Sequence, residues 1–297
     1  MSPFFGVQRQ NGGAGDFYLA RGSYEALNMA RAVDRKTSRA WRVLWIIDSH
    51  MEIRELTAKV LSPFDLIAVT QFEEAARYEK LAPGRVIVVP WGSDVVAMHR
   101  EPAPMRTTDV LRVGRQPQLF DDDAENAKLF TDAGLSFQGR PAFVSADAYL
   151  SQMSRNLRSA KFTMASSNLC DDSAHTDAVK EYVTPRWVDA ISAGTIVVGK
   201  HPRVAETSPW IEQGLIVDCD ISSKEAYVAD ISAALAKWTP QCAAYNIAYA
   251  FEHFDLRLRI NAVLQRVGYS GAGLTQALTD LEQAKAANQV QIRAQAC

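Results

Sequence analysis

The stretch Glu181–Gly199, EYVTPRWVDAISAGTIVVG, decides how the chain is read. Thr184 followed by Pro185 marks a helix start: a threonine hydroxyl suits the N-cap, where it can accept an orphan N–H, and proline is tolerated at the first helical position. Val188, Ile191 and Ser192 recur at helical spacing, and Gly194 supplies a left-handed stop. Thr195–Val198 is a β-branched run of the buried parallel-strand kind. The segment predicts a loop, a short helix and a strand. Its helix N-terminus opens from a polar loop and offers N–H groups and partial positive charge to an anion. Glu181 stands just outside that end and Asp189 one turn inside it, with seven residues between them. Taken alone, the two acids also read as a solvated surface pair.

Working outward, strands and helices alternate on both sides. Arg42–Asp48 (RVLWIID) reads as a buried strand, Met51–Leu61 as a helix, Phe64–Val69 as a strand, Gln71–Leu81 as a helix and Val86–Val89 as a strand. That alternation predicts βαβ units and a parallel sheet. Ligands of such sheets collect at the carboxyl ends of the strands, which places Asp48, Ser49, His50, Thr70, Gln71 and Trp91–Asp94 along one edge. Before Trp41 the pattern is weak. Asn11–Gly15, with Gly12 and Gly13, is a glycine-rich turn followed by a helix-like Ala20–Val33. A plain loop explains it as well.

Val95–Thr108, proline-bearing and without periodicity, reads as a linker. A second series then begins: strand Asp109–Gly114, helix Asp123–Ala133, strand Phe137-Gln138, helix Ala146–Leu157 and strand Phe162–Ala165. Asp121–Asp123 reads as a solvated helix start. Ser166–Lys180 is a polar loop carrying His175 and emptying into the opening segment, where function concentrates. Beyond Gly199, Val204–Gly214 reads as a connector and Leu215–Val217 as a strand. Ala226–Leu235 is a helix with Ser222 as N-cap and Glu225 closing a capping box. Tyr245–Phe254, Leu256–Val267 and Thr275–Ala296 are further helical patterns.

Composition bounds the function classes. At 297 residues two domains are the default. A net charge of −2 argues against a dedicated nucleic-acid binder. No apolar run reaches the ~20 residues of a membrane helix, and the N-terminus lacks a signal-peptide pattern. Four scattered cysteines without a Cys-x-x-Cys pair read as reduced thiols of a cytosolic protein. The chain has no Gly-x-Ser-x-Gly elbow, no Walker loop, no His-Glu-x-x-His and no full dinucleotide fingerprint.

Glu181–Gly199 resembles the donor-sugar segment of nucleotide-sugar glycosyltransferases of the two-Rossmann (GT-B) type, group 1, whose signature is Glu-x7-Glu followed by an Ala-rich helix and a strand. Here the second acid is Asp189, and Thr-x-Arg-x-x-Asp-Ala is closest to the spore-protein-like branch. FDLIAVTQFEEAARYEKLAPGRVIVVPWGSD is similar to the end of that family's N-terminal domain, with Trp91 in place of the usual Asn. DVLRVG with Arg115 resembles the strand whose Arg holds the donor pyrophosphate, although the family's following Lys is missing. The resemblance implies an α/β fold of two Rossmann-like domains, both abbreviated, with parallel sheets facing a central cleft. It divides the chain into 1–103 (acceptor side), 104–272 (nucleotide-sugar binding) and a C-terminal helix, 273–297.

It further implies transfer of a sugar from a nucleoside-diphosphate sugar to a glycan or lipid-linked acceptor in polysaccharide biosynthesis, with retention as the stereochemical default. The nucleotide sugar is a co-substrate and no metal or other cofactor is expected. Arg115, Arg140, Thr184, Pro185, Arg186 and Asp189 would bind the donor, with Asp189 on the ribose. Glu181 would contact the donor sugar, His50 would be the acceptor-side base or a positioning group, and Asp48, Gly12 and Gly13 would lie on the acceptor side. The implied location is the cytoplasm, with contact to the inner face of the membrane left open; no nucleic-acid partner is expected. Two other readings stand beside it: a non-catalytic nucleotide- or sugar-binding protein, and a nucleotide-sugar epimerase.

Overall fold

The computed structural model describes residues 4–5, 15–33, 41–49, 56–102, 104–142, 145–170, 177 and 179–296. His50, Gly12, Gly13, His175 and residues 51–55 of an expected helix lie outside them. The chain divides into two units, Met1–Trp91 with Arg257–Leu278, and Gly92–Leu256 with Thr279–Cys297. The division falls before the expected linker and not at residue 103, and 257–278 return to the first unit.

In the first unit β1 (Phe4–Phe5), β2 (Asp16–Ala20), β3 (Arg42–Ile46), β4 (Leu66–Val69) and β5 (Val86–Val88) lie in sequence order. β1 is antiparallel to β2 and the other four are parallel. The crossovers carry α1 (Ser23–Ala32), α2 (Ala58–Leu61) and α3 (Ala75–Leu81). Right-handed crossovers that all step the same way put their helices on one face of a sheet. The strand residues sort accordingly. Leu44, Ile46, Ile67 and Val69 join Ala26, Leu27, Leu61 and Tyr78 in one core, while Val43, Trp45, Leu66 and Ala68 face the other way into a second. Each such aliphatic side chain contributes about 1.5–3 kcal/mol by leaving water. β2 is a correction, because the helix expected from Ala20 is preceded by a strand, DFYLA, whose acid and alternation conceal it.

The second unit opens with α4 (Val95–Met98), a turn of helix inside the expected linker, capped by Asp94, whose carboxylate accepts from the Ala97 N–H at 3.1 Å. Then come β6 (Thr108–Arg112), α5 (Asp123–Asp132), β7 (Phe137–Gln138), α6 (Ala146–Ser159), β8 (Ala160–Met164), α7 (Pro185–Ser192), β9 (Ile196–Gly199), α8 (Ser208–Glu212), β10 (Ile216–Asp218), α9 (Lys224–Leu235) and α10 (Pro240–His253). Across the sheet the order is β7-β6-β8-β9-β10, all parallel. Val110, Phe162, Met164 and Val198 are fully buried against Phe120, Phe130, Tyr227 and Ile231. α8 falls within the expected connector. The cap of α9 lies one residue later than expected: Ser223, not Ser222, accepts from the Ala226 N–H at 3.1 Å.

α11 (Leu256–Arg266) and α12 (Ala272–Ala296) complete the chain. Val263, Leu264, Val267 and Tyr269 cover the second face of the first unit's sheet, packing with Trp41, Val43 and Trp45. That face would otherwise expose two tryptophans. The protein is thus α/β, with two sheets of mainly parallel strands.

Candidate functional site

In the second sheet β6 and β8 are neighbours although β7 lies between them in sequence. The chain leaves β6 toward one edge and β8 toward the other, so a crevice opens at their carboxyl ends, the topological switch point where ligands of doubly wound sheets bind. Three segments wall it: Arg115–Pro117 after β6, Ser166–Asn168 after β8, and Tyr182–Trp187 at the start of α7. The hollow itself is small, about 20 Å³. That is room for about one water-sized group, so an oxygen of a phosphoryl group fits it while a whole nucleotide would lie across its open mouth.

The walls are held by close backbone approaches. Gly114 adopts φ 68°, and a Cβ there would meet the Arg186 guanidinium at 3.2 Å. Arg186 donates from Nη1 to the Arg115 carbonyl at 2.8 Å, which lays its planar cation along the β6 loop. At the next strand a Cβ on Gly199 would stand 2.1 Å from the Ala165 carbonyl oxygen, so only glycine lets β9 and the β8 loop meet. Gln116, buried, donates to the carbonyls of Val113 (3.2 Å) and Met164 (3.0 Å) and ties the first two walls together. Asn168 donates to the Asp177 and Lys180 carbonyls and accepts from the Tyr182 N–H, fastening the second wall to the third.

The sequence-predicted residues separate into those the crevice gathers and those it does not. Arg115, Thr184 and Arg186 line it. Thr184 sits at the N-cap with extended backbone, but its hydroxyl makes no cap bond. The Trp187 N–H is taken by the Thr184 carbonyl at 3.2 Å, and Oγ1 is left buried without a hydrogen-bond partner. The expected cap bond is therefore absent, and Thr184 lines the hollow with atoms other than its fully buried hydroxyl. An unpaired buried polar atom costs about 1–3 kcal/mol. Pro185 begins the helix, and Gly194 at φ 88° ends it.

Glu181 reaches the crevice indirectly. Its Oε1 accepts from the Ser167 hydroxyl at 2.6 Å and its Oε2 from the Arg203 N–H at 3.0 Å, so the carboxylate braces the β8 loop. Asp189 does not line the hollow. Its carboxyl group is turned inward to Ser93, and burial raises its pKa to about 6 against the lowering effect of the Ser93 hydrogen bond. Arg140 is exposed and only its N–H is engaged, by Asp123 at 3.1 Å. Asp48 lies in the first unit at the end of β3, where burial raises its carboxyl pKa, partly opposed by Arg21.

Residues that sequence reasoning missed are also informative. Arg112 on β6 is fully buried, paired with Asp121 and with Asp123 at 2.7 Å, and donates to the Asp121 carbonyl at 2.7 Å. Asp122 is the N-cap of α5, accepting from Ala124 and Glu125 at 2.8 and 3.0 Å. The acidic run is the solvated helix start that the sequence suggests, and it also caps α5 and supplies the counter-charge to Arg112. At the outer strands, Lys200 and His201 both meet Asp218, at 2.9 and 2.8 Å. Among the described residues no group of three or more His, Cys, Asp and Glu side chains could hold a metal ion, and no helix is long and apolar enough to cross a membrane.

No protein-family model matches the chain, and a search of the curated proteins finds no match.

Proposed function

We propose that the second unit binds the diphosphate of a nucleoside-diphosphate sugar and that the protein is a glycosyltransferase passing that sugar to a glycan acceptor. The observation that carries this reading is the crevice at the β6–β8 switch point, where Arg115 and Arg186 meet the N-terminus of α7. Two guanidinium groups and a helix N-terminus suit an anion, and the same donors would stabilise charge growing on a leaving diphosphate. Glu181 acts by holding Ser167 in the wall.

One observation favours a second reading, a nucleotide-binding protein without transferase activity. Asp189, the acid that the glycosyltransferase resemblance assigns to the ribose, faces Ser93 instead.

The test is calorimetric titration with UDP, GDP, ADP, CMP and dTDP, followed by incubation of the matching nucleotide sugar with saccharide acceptors. The expected result is binding of one diphosphate that weakens tenfold or more in Arg115→Ala and Arg186→Ala, together with acceptor-dependent release of that diphosphate. Binding without turnover selects the second reading. No binding by any of the five removes both.

A further inference from the structure

A larger cavity, about 690 Å³, opens elsewhere in the second unit and shares no lining residue with the switch-point crevice. This volume is within the range of sites that enclose whole small molecules. Its walls are the segment after α4, helix α10 and the turn of α12 that carries Ala284 and Ala287. The α12 wall is held in place by Lys285, which pairs with Glu252 of α10 at 3.0 Å. Ala243 and Ala244 line the α10 side with Ile247 and Phe251, so small side chains on both helices leave a slim apolar trough between them.

The charge around this trough is lopsided. Arg106 lines it and donates only to neutral carbonyls, those of Leu157, Ala160 and Ala193. Burial, and to a lesser extent the neighbouring charge of Arg158, lower its pKa to about 10. Arg158, 7% exposed, also donates to carbonyls, of Glu101 and Pro102, and its Nε has no partner. Arg100 stands exposed at the mouth. Glu101 is the sole acid in the lining and is itself exposed. Trp238 borders the cavity with its ring, while its indole N–H is fully buried and does not open onto it. The Glu101 carboxylate partly offsets the charge of Arg158, while Arg106 is met by carbonyls alone, and a buried cation without a counter-charge favours an anion from solution.

We propose that this cavity binds a single-chain amphiphile with a carboxylate head, its chain in the trough between α10 and α12 and its carboxylate beside Arg100 and Arg106. Apolar lining receives the chain, Arg106 and Arg158 supply the field, and Arg100 supplies hydrogen-bond donors. The binding does not depend on the nucleotide reading of the crevice.

The test is titration of the full chain with dodecanoate below its micelle concentration, beside dodecyltrimethylammonium, which has the same chain and the opposite charge. We expect one dodecanoate site, with at least tenfold weaker binding of the cationic detergent. Arg100→Gln weakens dodecanoate binding three- to tenfold. Ala287→Trp, at an exposed position on α12, fills the trough and abolishes binding, and Ala244→Phe does the same from the α10 side if the tryptophan perturbs folding. The proposal is overturned if the filled variants bind dodecanoate like the wild type, if the cationic detergent binds as tightly, or if no dodecanoate binds.

Discussion

Replacing Gly114 by alanine separates two effects that usually arrive together. At φ 68° any L-residue is strained by roughly 1–2 kcal/mol. The new Cβ would also stand 3.2 Å from the Arg186 guanidinium, so the arginine must retreat by a few tenths of an ångström from the Arg115 carbonyl it now reaches at 2.8 Å. Weakening that charge-assisted bond adds up to about 1.5–3 kcal/mol. Gly134 provides the control. It has φ 75° in the same unit, with nothing within reach of an added Cβ, so Gly134→Ala carries the backbone strain alone. At roughly 2–4 °C per kcal/mol, the melting midpoint should fall by about 4 °C in Gly134→Ala and about 9 °C in Gly114→Ala, measured by scanning fluorimetry. The second readout is ligand binding. Diphosphate affinity should drop about tenfold in Gly114→Ala, because Arg186 is displaced, and stay unchanged in Gly134→Ala. Equal losses of stability and equal affinities in the two variants would refute the claim that Gly114 exists to seat Arg186.

Two further outcomes follow from buried charge. Asp189 holds its proton more tightly in the folded chain than in the unfolded one, so its contribution to stability is intact below about pH 4 and is lost as pH rises through about 6. Asp189→Asn should therefore be more stable than the wild type at pH 7.5 by about 2–3 kcal/mol, with the difference vanishing near pH 4 in urea titrations; a difference independent of pH would show that the carboxyl is not the cause. Arg112→Leu should cost about 2–3 kcal/mol. This is less than the 3–5 of breaking a fully buried pair, because Asp121 and Asp123 are 55% and 35% exposed and can regain water. A loss under 1 kcal/mol in denaturant melts would mean that the buried cation barely matters.

Much of the fold is legible because buried parallel strands are written as unbroken apolar runs. RVLWI, LIAV, VIV and IVVG need no long-range information to be recognised. What stayed hidden depends on partners distant in sequence. β2 is half-exposed and carries Asp16, so it looks like a loop until Trp41 and β3 lie beside it. The expected linker is structured because its polar groups find buried anchors. His99 Nε2 meets the Ser192 carbonyl at 2.7 Å, and the Val96 N–H donates to Asp255 at 3.3 Å. The cap of α9 moves from Ser222 to Ser223 because Asp220 captures the Ser222 N–H at 2.8 Å in a local turn. Thr239-Pro240, which starts α10, repeats the Thr184-Pro185 pair at the start of α7, so that helix start too is legible in the sequence.

The same contrast governs the site. Where the proposed anion-binding end lies follows from local sequence, because a threonine, a proline and an arginine at a helix start are enough to mark the first turn of α7. What each side chain does there is not local. The Thr184 hydroxyl makes no cap bond because the Trp187 N–H closes on the Thr184 carbonyl, and it is left buried and unpaired. Asp189 sits at the spacing that suggests a ribose contact, yet spacing fixes the face of a helix and not the partner on it. The partner is Ser93, delivered by a segment that sequence alone assigns to a linker. For Asp189 to reach a ribose, it would have to leave Ser93, and at a pH below its pKa of about 6 it would also have to lose its proton. Binding of a nucleoside diphosphate at about pH 5 would then release an extra proton that the Asp189→Asn variant does not release, and titrations in buffers of different ionisation enthalpy would show it. If the heat of binding depends on the buffer equally in wild type and variant, Asp189 stays with Ser93 and the ribose is held, if at all, by other groups.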